Sequence, residues 1–210
     1  MNPTTIDWPG LTHTWNPVVG CLHNCSYCYA RSINNRFKII PDWTKPRFFF
    51  ERLGELRKAR KPRKIFVVSM GDLFGEWVPT QWIIDILQVC NNNPQHAFMF
   101  LTKNPRRYYD FEFPLNCWLG ATITSRDDFD KYGFYKHKFV DVSNKTFLSL
   151  EPLFGGFEEI DFRGVDLIIV GADSRRGQPA PKREWVRSIK HRNIWYKKSI
   201  RDLYPEFSNT

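Results

Sequence analysis

The feature of this sequence that most restricts its fold is a short apolar run that recurs along the chain, each time followed by a more polar stretch. These runs, each of five or six residues, are Thr12–Asn16, Ile65–Met70, Ala97–Thr102, Cys117–Thr122, Thr146–Glu151, Asp166–Gly171 and Asn193–Lys197. Short runs rich in β-branched and aromatic residues are typical of strands buried on both faces of a parallel sheet. The pattern therefore predicts buried parallel strands.

Helical patterns lie between several of these runs. Apolar residues after Thr80 recur at the spacing of one helical stripe, with Thr80 as a candidate N-cap, and a second stripe starts at Phe49. Ser125–His137 and Lys182–Arg192 are shorter, more polar candidates. Strands that alternate with helices indicate βαβ units. Since a full eight-fold barrel takes about 250 residues, residues 1–210 are expected to form one α/β domain, a partial (β/α) barrel of six or seven parallel strands.

Composition restricts the setting in which the chain works. The formal charge of +9 and the sequence pI of about 9.4 favour anionic partners, although such a charge also serves solubility. No run reaches the roughly 18 apolar residues of a membrane span, and the N-terminus lacks the pattern of a signal peptide. We therefore expect a cytoplasmic protein without membrane contact, where closely spaced cysteines indicate metal binding or catalysis rather than disulfides.

Three of the cysteines form one short motif. Cys21, Cys25 and Cys28 have the spacing C-x3-C-x2-C, and Tyr27 directly precedes the last of them. Thiolates are the ligands that iron–sulfur clusters require. Three of them can hold three corners of a cubane and leave the fourth iron open, and an open position marks a catalytic metal site. The spacing favours a [4Fe–4S] cluster.

A structural zinc site is the main alternative for the same cysteines. His13 or His23 would then complete a set of three cysteines and one histidine. A histidine between two of the cysteines would be cramped, and a second C-x2-C pair does not occur in the sequence. Buried thiols without a metal are a third interpretation.

The cysteine motif resembles the signature of the radical S-adenosylmethionine superfamily. Stretches along nearly the whole chain also resemble, in the same order, a phage-associated family of radical-SAM-like proteins of unassigned function. They are Trp15-Asn16-Pro17, Cys28-Tyr29-Ala30, Ser69-Met70-Gly71-Asp72-Leu73-Phe74, Leu101-Thr102-Lys103, Trp118-Leu119-Gly120, Leu148-Ser149-Leu150-Glu151-Pro152, Ile169-Val170-Gly171 and Glu184-Trp185-Val186-Arg187. Many members of that family have more residues between the first two cysteines, whereas this chain has the shorter superfamily spacing.

The superfamily resemblance implies a chemistry. It implies a [4Fe–4S] cluster whose open iron is chelated by S-adenosylmethionine, and an electron donor such as flavodoxin or ferredoxin. Reductive cleavage of S-adenosylmethionine would give a deoxyadenosyl radical that abstracts hydrogen from a substrate. The cofactors supply the difficult chemistry, and the protein orients them and excludes water.

The resemblance also implies cofactor-binding residues. Tyr27 would lie beside the adenine, unless it is simply a packed ring. Ser69, Gly71 and Asp72 stand where the superfamily often carries a Gly-Gly-Glu-like turn that binds the methionyl amino group. A carboxylate there would pair with an ammonium, or Asp72 would instead cap the next helix. Gly171, at the end of a later strand, is included in the predicted cofactor site.

Charged residues at the ends of the predicted strands complete the candidate site. Glu151, also a candidate cofactor ligand, and Asp173 follow strands, as do the basic residues Lys103, Arg175, Arg176, Lys197 and Lys198. Ligands of such folds bind at this end of the strands. The catalytic candidates are Cys117, Glu151 and Lys103, although Cys117 and Cys90 are also expected as core thiols.

A second group of basic residues lies elsewhere. Arg57, Lys58, Arg60, Lys61, Arg63 and Lys64 precede a strand and so belong to the opposite end of the barrel. The sequence as a whole predicts a radical S-adenosylmethionine enzyme whose substrate is unknown, with a preference for a nucleic acid or a nucleotide-like anion. The alternative is a nucleic-acid-binding protein with a structural zinc or a non-catalytic iron–sulfur site.

Overall fold

A computed structural model describes residues 1–57, 59–131 and 143–209. The strands are β1 (Asn2–Pro3), β2 (His13–Trp15), β3 (Val18–Val19), β4 (Arg47–Phe48), β5 (Lys64–Val67), β6 (Ala97–Thr102), β7 (Cys117–Thr122), β8 (Lys145–Leu150), β9 (Leu167–Val170) and β10 (Ile194–Tyr196). The α-helices are α1 (Tyr29–Phe37), α2 (Thr80–Asn91), α3 (Arg126–Lys131), α4 (Arg183–Ser188) and α5 (Lys198–Arg201). Phe50–Leu56 and Pro105–Asp110 form 3₁₀-helices.

The fold is α/β and is built on one eight-stranded sheet in the order β1-β2-β5-β6-β7-β8-β9-β10. All neighbours in the sheet are parallel except β1, which pairs with β2 in the antiparallel direction. All the predicted strands lie side by side in this sheet. Because they run in one direction, their carboxyl ends meet at the same end of the sheet, where ligand sites of α/β folds are found. Strands β3 and β4 form a separate antiparallel ribbon.

Side chains alternate between the two faces of the sheet, as the strand period of two requires. One face packs against α2 and the later helices; its buried sheet residues include Ile65, Val67, Phe98, Phe100, Leu119, Leu148, Ile168 and Val170. On the other face, Trp8 stacks on Phe66 with ring centroids 4.5 Å apart and meets Phe147 edge-on at 5.4 Å. Gly120 makes room there, because a Cβ at this position would lie 2.2 Å from the Phe147 ring.

This second face changes from apolar to polar along several of the strands. In β8, Phe147 belongs to the apolar cluster, whereas Ser149 and Glu151, at intervals of two residues, line a cavity. In β10 the same step leads from Trp195 to Lys197. Side chains two apart share a face, so the sheet has an apolar base and a polar rim at its carboxyl end.

The N-terminal segment connects the two edges of the sheet. Asp7 lies between β1 and β2 at one edge, and its backbone oxygen accepts a hydrogen bond of 3.1 Å from the indole of Trp195 in β10 at the other. Its carboxylate also accepts from the backbone nitrogen of Lys198 and from Arg201. The sheet must therefore curve until its edges approach each other, although β1 and β10 remain its edge strands.

Strands β2, β5, β9 and β10 are shorter than predicted, and the largest difference is at the end of β5. The run Ile65–Met70 leaves the sheet after Val67, because Val68 has a φ of 58°. This left-handed conformation is strained for a β-branched residue and costs about 1–3 kcal/mol. The backbone nitrogen of Val68 donates to the Trp15 oxygen at 2.7 Å and so holds the turn, which directs the residues after it into the cavity.

Three helical predictions need correction, and a fourth is only partly described. The stripe from Phe49 forms a 3₁₀-helix rather than an α-helix, and α2 begins at Thr80 itself, with Pro79 in the cap position and no side-chain cap. The predicted helix Lys182–Arg192 is the shorter α4. For Ser125–His137, the structure gives α3; positions 132–142, like position 58, lie outside the described residues. In the described parts of the chain, no helix has the length and apolar character to cross a membrane.

Candidate functional site

A cavity of about 380 Å³ opens at the carboxyl ends of the parallel strands. This volume lies in the range of small-molecule sites. Its lining includes these predicted site residues: Cys21, Cys25, Tyr27, Cys28, Ser69, Gly71, Asp72, Lys103, Glu151, Asp173 and Lys197. The structure therefore brings together side chains from the cysteine loop (residues 21–28) and from the ends of β5, β6, β8, β9 and β10.

The three thiols of the cysteine loop all line this cavity. Burial, together with the carboxylate of Asp72 and the other two thiols, raises the pKa of Cys21 to about 12. Burial also raises the pKa of Cys25, against the opposing charge of Lys103. Ligation of a metal displaces such thiol protons.

The arrangement of the three sulfurs is relevant to the kind of metal they could bind. Over the described residues, the structure has no group of three His, Cys, Asp or Glu side chains that could hold a single metal ion. Sulfur ligands of one zinc, each 2.3 Å from the ion, lie about 4 Å from one another. A four-iron cluster is a larger body, and its thiolates surround it at wider spacing.

Helix α1 starts directly from the cysteine loop. Cys28 occupies its N-cap position, and the sulfur accepts a hydrogen bond of 3.3 Å from the backbone nitrogen of Arg31. The helix ends at Lys38, whose φ is 50°. The backbone N–H groups at the start of α1 therefore face the Cys28 sulfur.

Two arginines fix the backbone of the cysteine loop. Arg31 donates to the Asn24 side chain at 2.6 Å and to the Cys25 backbone oxygen at 2.9 Å. Arg175 donates to the Ser26 oxygen at 2.9 Å while it pairs with Asp173. Sequence reasoning missed Arg31, for which its place three residues after the last cysteine was the available signal.

Asp72 connects the cysteine loop to the end of β6. Its Oδ1 accepts hydrogen bonds from the Thr102 hydroxyl at 2.7 Å and the Phe74 backbone nitrogen at 3.0 Å. Its Oδ2 accepts from the Lys103 backbone nitrogen at 2.9 Å and contacts Nε2 of His23 at 2.8 Å. Burial alone would raise the pKa of Asp72, but the hydrogen bond and charge of His23, then the two other bonds, lower it.

These contacts change the role predicted for Asp72. A carboxylate offers about four acceptor positions, and four donors already occupy this one. The methionyl amino group of a cofactor would therefore find no free position on it. Asp72 instead orients His23 of the cysteine loop. The Nε2 atom of His23 contacts this carboxylate.

Glycines bring the cysteine loop against the turn after β5. Gly20 and Gly71 form a parallel bridge, and a Cβ on Gly71 would lie 2.7 Å from the Gly20 oxygen. The Asn16 side chain accepts from the Ser69 hydroxyl and the Met70 nitrogen. The predicted turn thus supports the loop by close backbone contact.

Lys103 contacts the ring predicted to lie beside an adenine. Its ammonium donates to the Tyr27 hydroxyl at 2.7 Å and lies 5.0 Å from the centre of that ring. Burial lowers the pKa of Lys103, and the largest effect in the opposite direction comes from Cys25, which raises it. Tyr27 also packs edge-on against Phe154 at 5.5 Å.

A second charged pair lies across the cavity. Lys197 donates to Glu151 at 2.5 Å. Gly171 does not line the cavity; a Cβ there would lie 2.8 Å from the Glu151 carboxyl carbon, so this glycine makes space for Glu151. Arg176 and Lys198 are exposed and do not line the cavity either.

The structure does not bring Cys117 to the cavity. It begins β7 at the amino end of the sheet and is fully buried with Cys90 in the core beneath the helices. Burial raises the pKa of Cys90, with Cys117 as its neighbour.

Lys64 begins β5 at the same end, so the basic run before it is remote from the cavity, as predicted. Hydroxyls from Thr122 and Ser149, which sequence reasoning did not select, complete the rim.

A family described as "Protein of unknown function (DUF5131)" matches residues 3–197. No curated protein and no solved structure matches the chain.

Proposed function

The chain belongs to the DUF5131 family, whose function is unknown, and we propose that it is a radical S-adenosylmethionine enzyme built on an incomplete (β/α) barrel. The observation that carries this proposal is that three thiols of one short loop line a single cavity at the carboxyl ends of parallel strands. Active sites of (β/α) barrels lie at this end.

The curvature of the sheet supports the barrel interpretation. Asp7 connects the edge strands through Trp195, and Trp8 packs into the apolar face that such a curved sheet encloses. The interior of a (β/α) barrel is filled by side chains in the same way. Trp8 also lines the cavity, so we interpret it as the floor of the site.

The cysteine loop suits a [4Fe–4S] cluster. Its backbone is held by Arg31 and Arg175 and by the bond between His23 and Asp72. These contacts leave Cys21 and Cys25 directed at the cavity. The N–H···S bond to Cys28 is of the kind that tunes a cluster without competing for its ligand. These bonds would hold the loop in place around a cluster.

The cavity also offers complementary groups for S-adenosylmethionine. Lys103 is a buried cation next to the cysteines, suited to a carboxylate. Glu151 is the acceptor we assign to an ammonium group, because Asp72 is saturated. The ring of Tyr27 offers an apolar face to a base. When bound, the cluster and S-adenosylmethionine supply reductive cleavage of the sulfonium C–S bond, given an electron donor such as flavodoxin or ferredoxin.

The test is anaerobic reconstitution with iron and sulfide, followed by assay of deoxyadenosine in the presence of a strong reductant. We expect broad visible absorbance and deoxyadenosine from the wild type. Cys25→Ala should lose both, because the third ligand is missing. Cys117→Ala, a matched change of a cysteine outside the cavity, should retain both.

Two results would refute this function. One equivalent of zinc per chain with no visible absorbance would identify the cysteine loop as a structural zinc site. An intact cluster with no cleavage of S-adenosylmethionine would restrict it to a folding or sensing role.

A further inference from the structure

We propose that the described part of residues 29–64 forms a binding surface for single-stranded nucleic acid, which runs from the cavity to the opposite end of the sheet. This segment contains twelve Lys and Arg against three Asp and Glu, which equals the whole formal charge of +9. The rest of the chain has nineteen basic and nineteen acidic residues and is neutral in sum. Charge concentrated in this way attracts a polyanion to this segment of the chain.

The segment is also a wall of the cavity. It begins next to Cys28, and its members Tyr29, Ala30 and Trp43 line the cavity. The backbone nitrogen of Cys21 donates to the Trp43 oxygen at 3.1 Å. The segment ends at Lys64, where β5 begins at the other end of the sheet. Its charge therefore extends from the cavity to the base of the sheet.

Half of the twelve basic residues of the segment are free to meet a partner. The exposed basic residues of the segment include Arg36, Lys38, Arg47, Arg57, Arg60 and Lys61. Within the described residues, none of these six forms an ion pair with a carboxylate. Free cations of this kind bind phosphates and release counterions.

Exposed aromatic rings accompany the charge. Phe37 is 63% exposed and Phe50 is 70% exposed. The guanidinium of Arg36 lies 5.1 Å from the centre of the Phe37 ring, and those of Arg47 and Arg52 lie 5.1 Å and 3.9 Å from that of Phe49. Surfaces for single-stranded nucleic acid combine cations along the backbone with rings on which bases stack. The rings favour this partner over an acidic protein.

Nucleic-acid binding and catalysis can be tested separately. A nucleic-acid strand on this surface would reach the cavity at Tyr29 and Trp43, and its role as the substrate rests on the function proposed above. Binding of the strand does not rest on that function, because none of the surface residues is a proposed ligand of the cluster. Loss of nucleic-acid binding can therefore be observed without loss of catalysis.

The test is fluorescence anisotropy with labelled DNA and RNA strands of about 20 nucleotides, and the corresponding duplexes, titrated with the protein at several salt concentrations. The variant Arg36→Gln/Lys38→Gln/Arg47→Gln removes three exposed charges. A matched control, Arg176→Gln/Lys190→Gln/Arg192→Gln, removes the same residue types from exposed positions outside the segment.

We expect the first variant to bind about a hundredfold more weakly at 0.1 M salt, and the slope of log K against log salt to fall by about 2, since each lost contact contributes about 0.7. The control should change affinity less than threefold or so. Phe37→Ala should weaken binding about 5- to 150-fold, whereas Leu115→Ala, at another exposed apolar side chain, should have no effect.

Three results would overturn the inference. They are absence of binding by the wild type, equal loss in the two triple variants, and binding of an acidic electron-transfer protein that the first variant loses while oligonucleotide binding is unchanged. Any of these leaves cleavage of S-adenosylmethionine unaffected. Conversely, if the protein binds oligonucleotides but never forms deoxyadenosine, the proposed enzymatic function is refuted and the proposed binding surface is supported.

Discussion

Replacement of Asp72 by Asn tests whether this carboxylate holds the cysteine loop to the end of β6. The change keeps the shape of the side chain and removes one charge and one acceptor. The remaining oxygen can still accept from Thr102 and the Phe74 nitrogen. The new NH₂ group then faces the Lys103 backbone nitrogen and His23, where the wild type has an acceptor. At least one buried N–H is left without a partner.

The size of this effect follows from the bonds lost. An unpaired buried N–H costs about 1–3 kcal/mol, and a hydrogen bond to a charged group contributes about 1.5–3 kcal/mol. We expect Asp72→Asn to lower the free energy of unfolding by about 3–5 kcal/mol, which lies within the sum of these two effects. In a chain of this length that corresponds to a fall in Tm of about 10 °C.

The pH dependence gives the effect a signature. The pKa of Asp72 lies below its ordinary value of 3.8, because the bonds from His23 and the other donors outweigh burial. A lowered pKa in the folded state means that the carboxylate stabilises the fold above the unfolded pKa. That contribution is lost as the pH falls through the folded value. The deficit of the variant is therefore full at pH 7 and shrinks below about pH 4.

The assay is urea unfolding of the metal-free protein, followed by tryptophan fluorescence at pH 7, 5, 4 and 3. Asp85→Asn, on α2 with a single bond from Gln81, is the matched control and should change stability by about 0.5 kcal/mol or less. A loss below about 1 kcal/mol at pH 7, or an equal deficit at every pH, would refute the reasoning.

Other predictions concern packing and the loop. Gly120→Ala should destabilise the fold by about 1–3 kcal/mol or more, because the added Cβ overlaps the Phe147 ring; Gly54→Ala, whose Cβ would meet only a flexible side chain at 4.0 Å, should not. Trp8→Ala should lower the free energy of unfolding by about 3–5 kcal/mol, measured in urea, and a neutral result would show that it is not a core residue. Arg175→Gln should destabilise the fold, because it leaves the buried carboxylate of Asp173 without its charged partner, and should accelerate loss of a reconstituted cluster, measured by the decay of visible absorbance; an unchanged decay would refute its role in holding the loop.

The parallel strands could be predicted because each is a complete apolar run. Ala97–Thr102 and Cys117–Thr122 have the predicted bounds, since both are buried on two faces and need no information from elsewhere in the chain. The run from Ile65 failed at its end for a different reason. Nothing local in the sequence indicates that Val68 adopts a strained φ, because contacts with distant residues impose it.

The sequence predicted which residues line the cavity better than it predicted what each of them does. The cysteines, Lys103 and Glu151 all line the cavity, as their places after strands indicated. The role of Asp72 could not be read from the sequence, because its donors stand 2 to 49 residues away. Helix α1 was missed since its nine residues carry few apolar side chains, and its cap is a cysteine sulfur.

On the second face of the sheet, side chains change from apolar to polar toward the carboxyl ends of strands such as β8. This arrangement has a consequence for redesign. The side chains that support the fold, such as Trp8 and Phe147, occupy one level, and the hydroxyls of Thr122 and Ser149 occupy the next. A randomised library at those two rim positions would thus vary what the cavity accepts while the layer that keeps the protein folded stays intact.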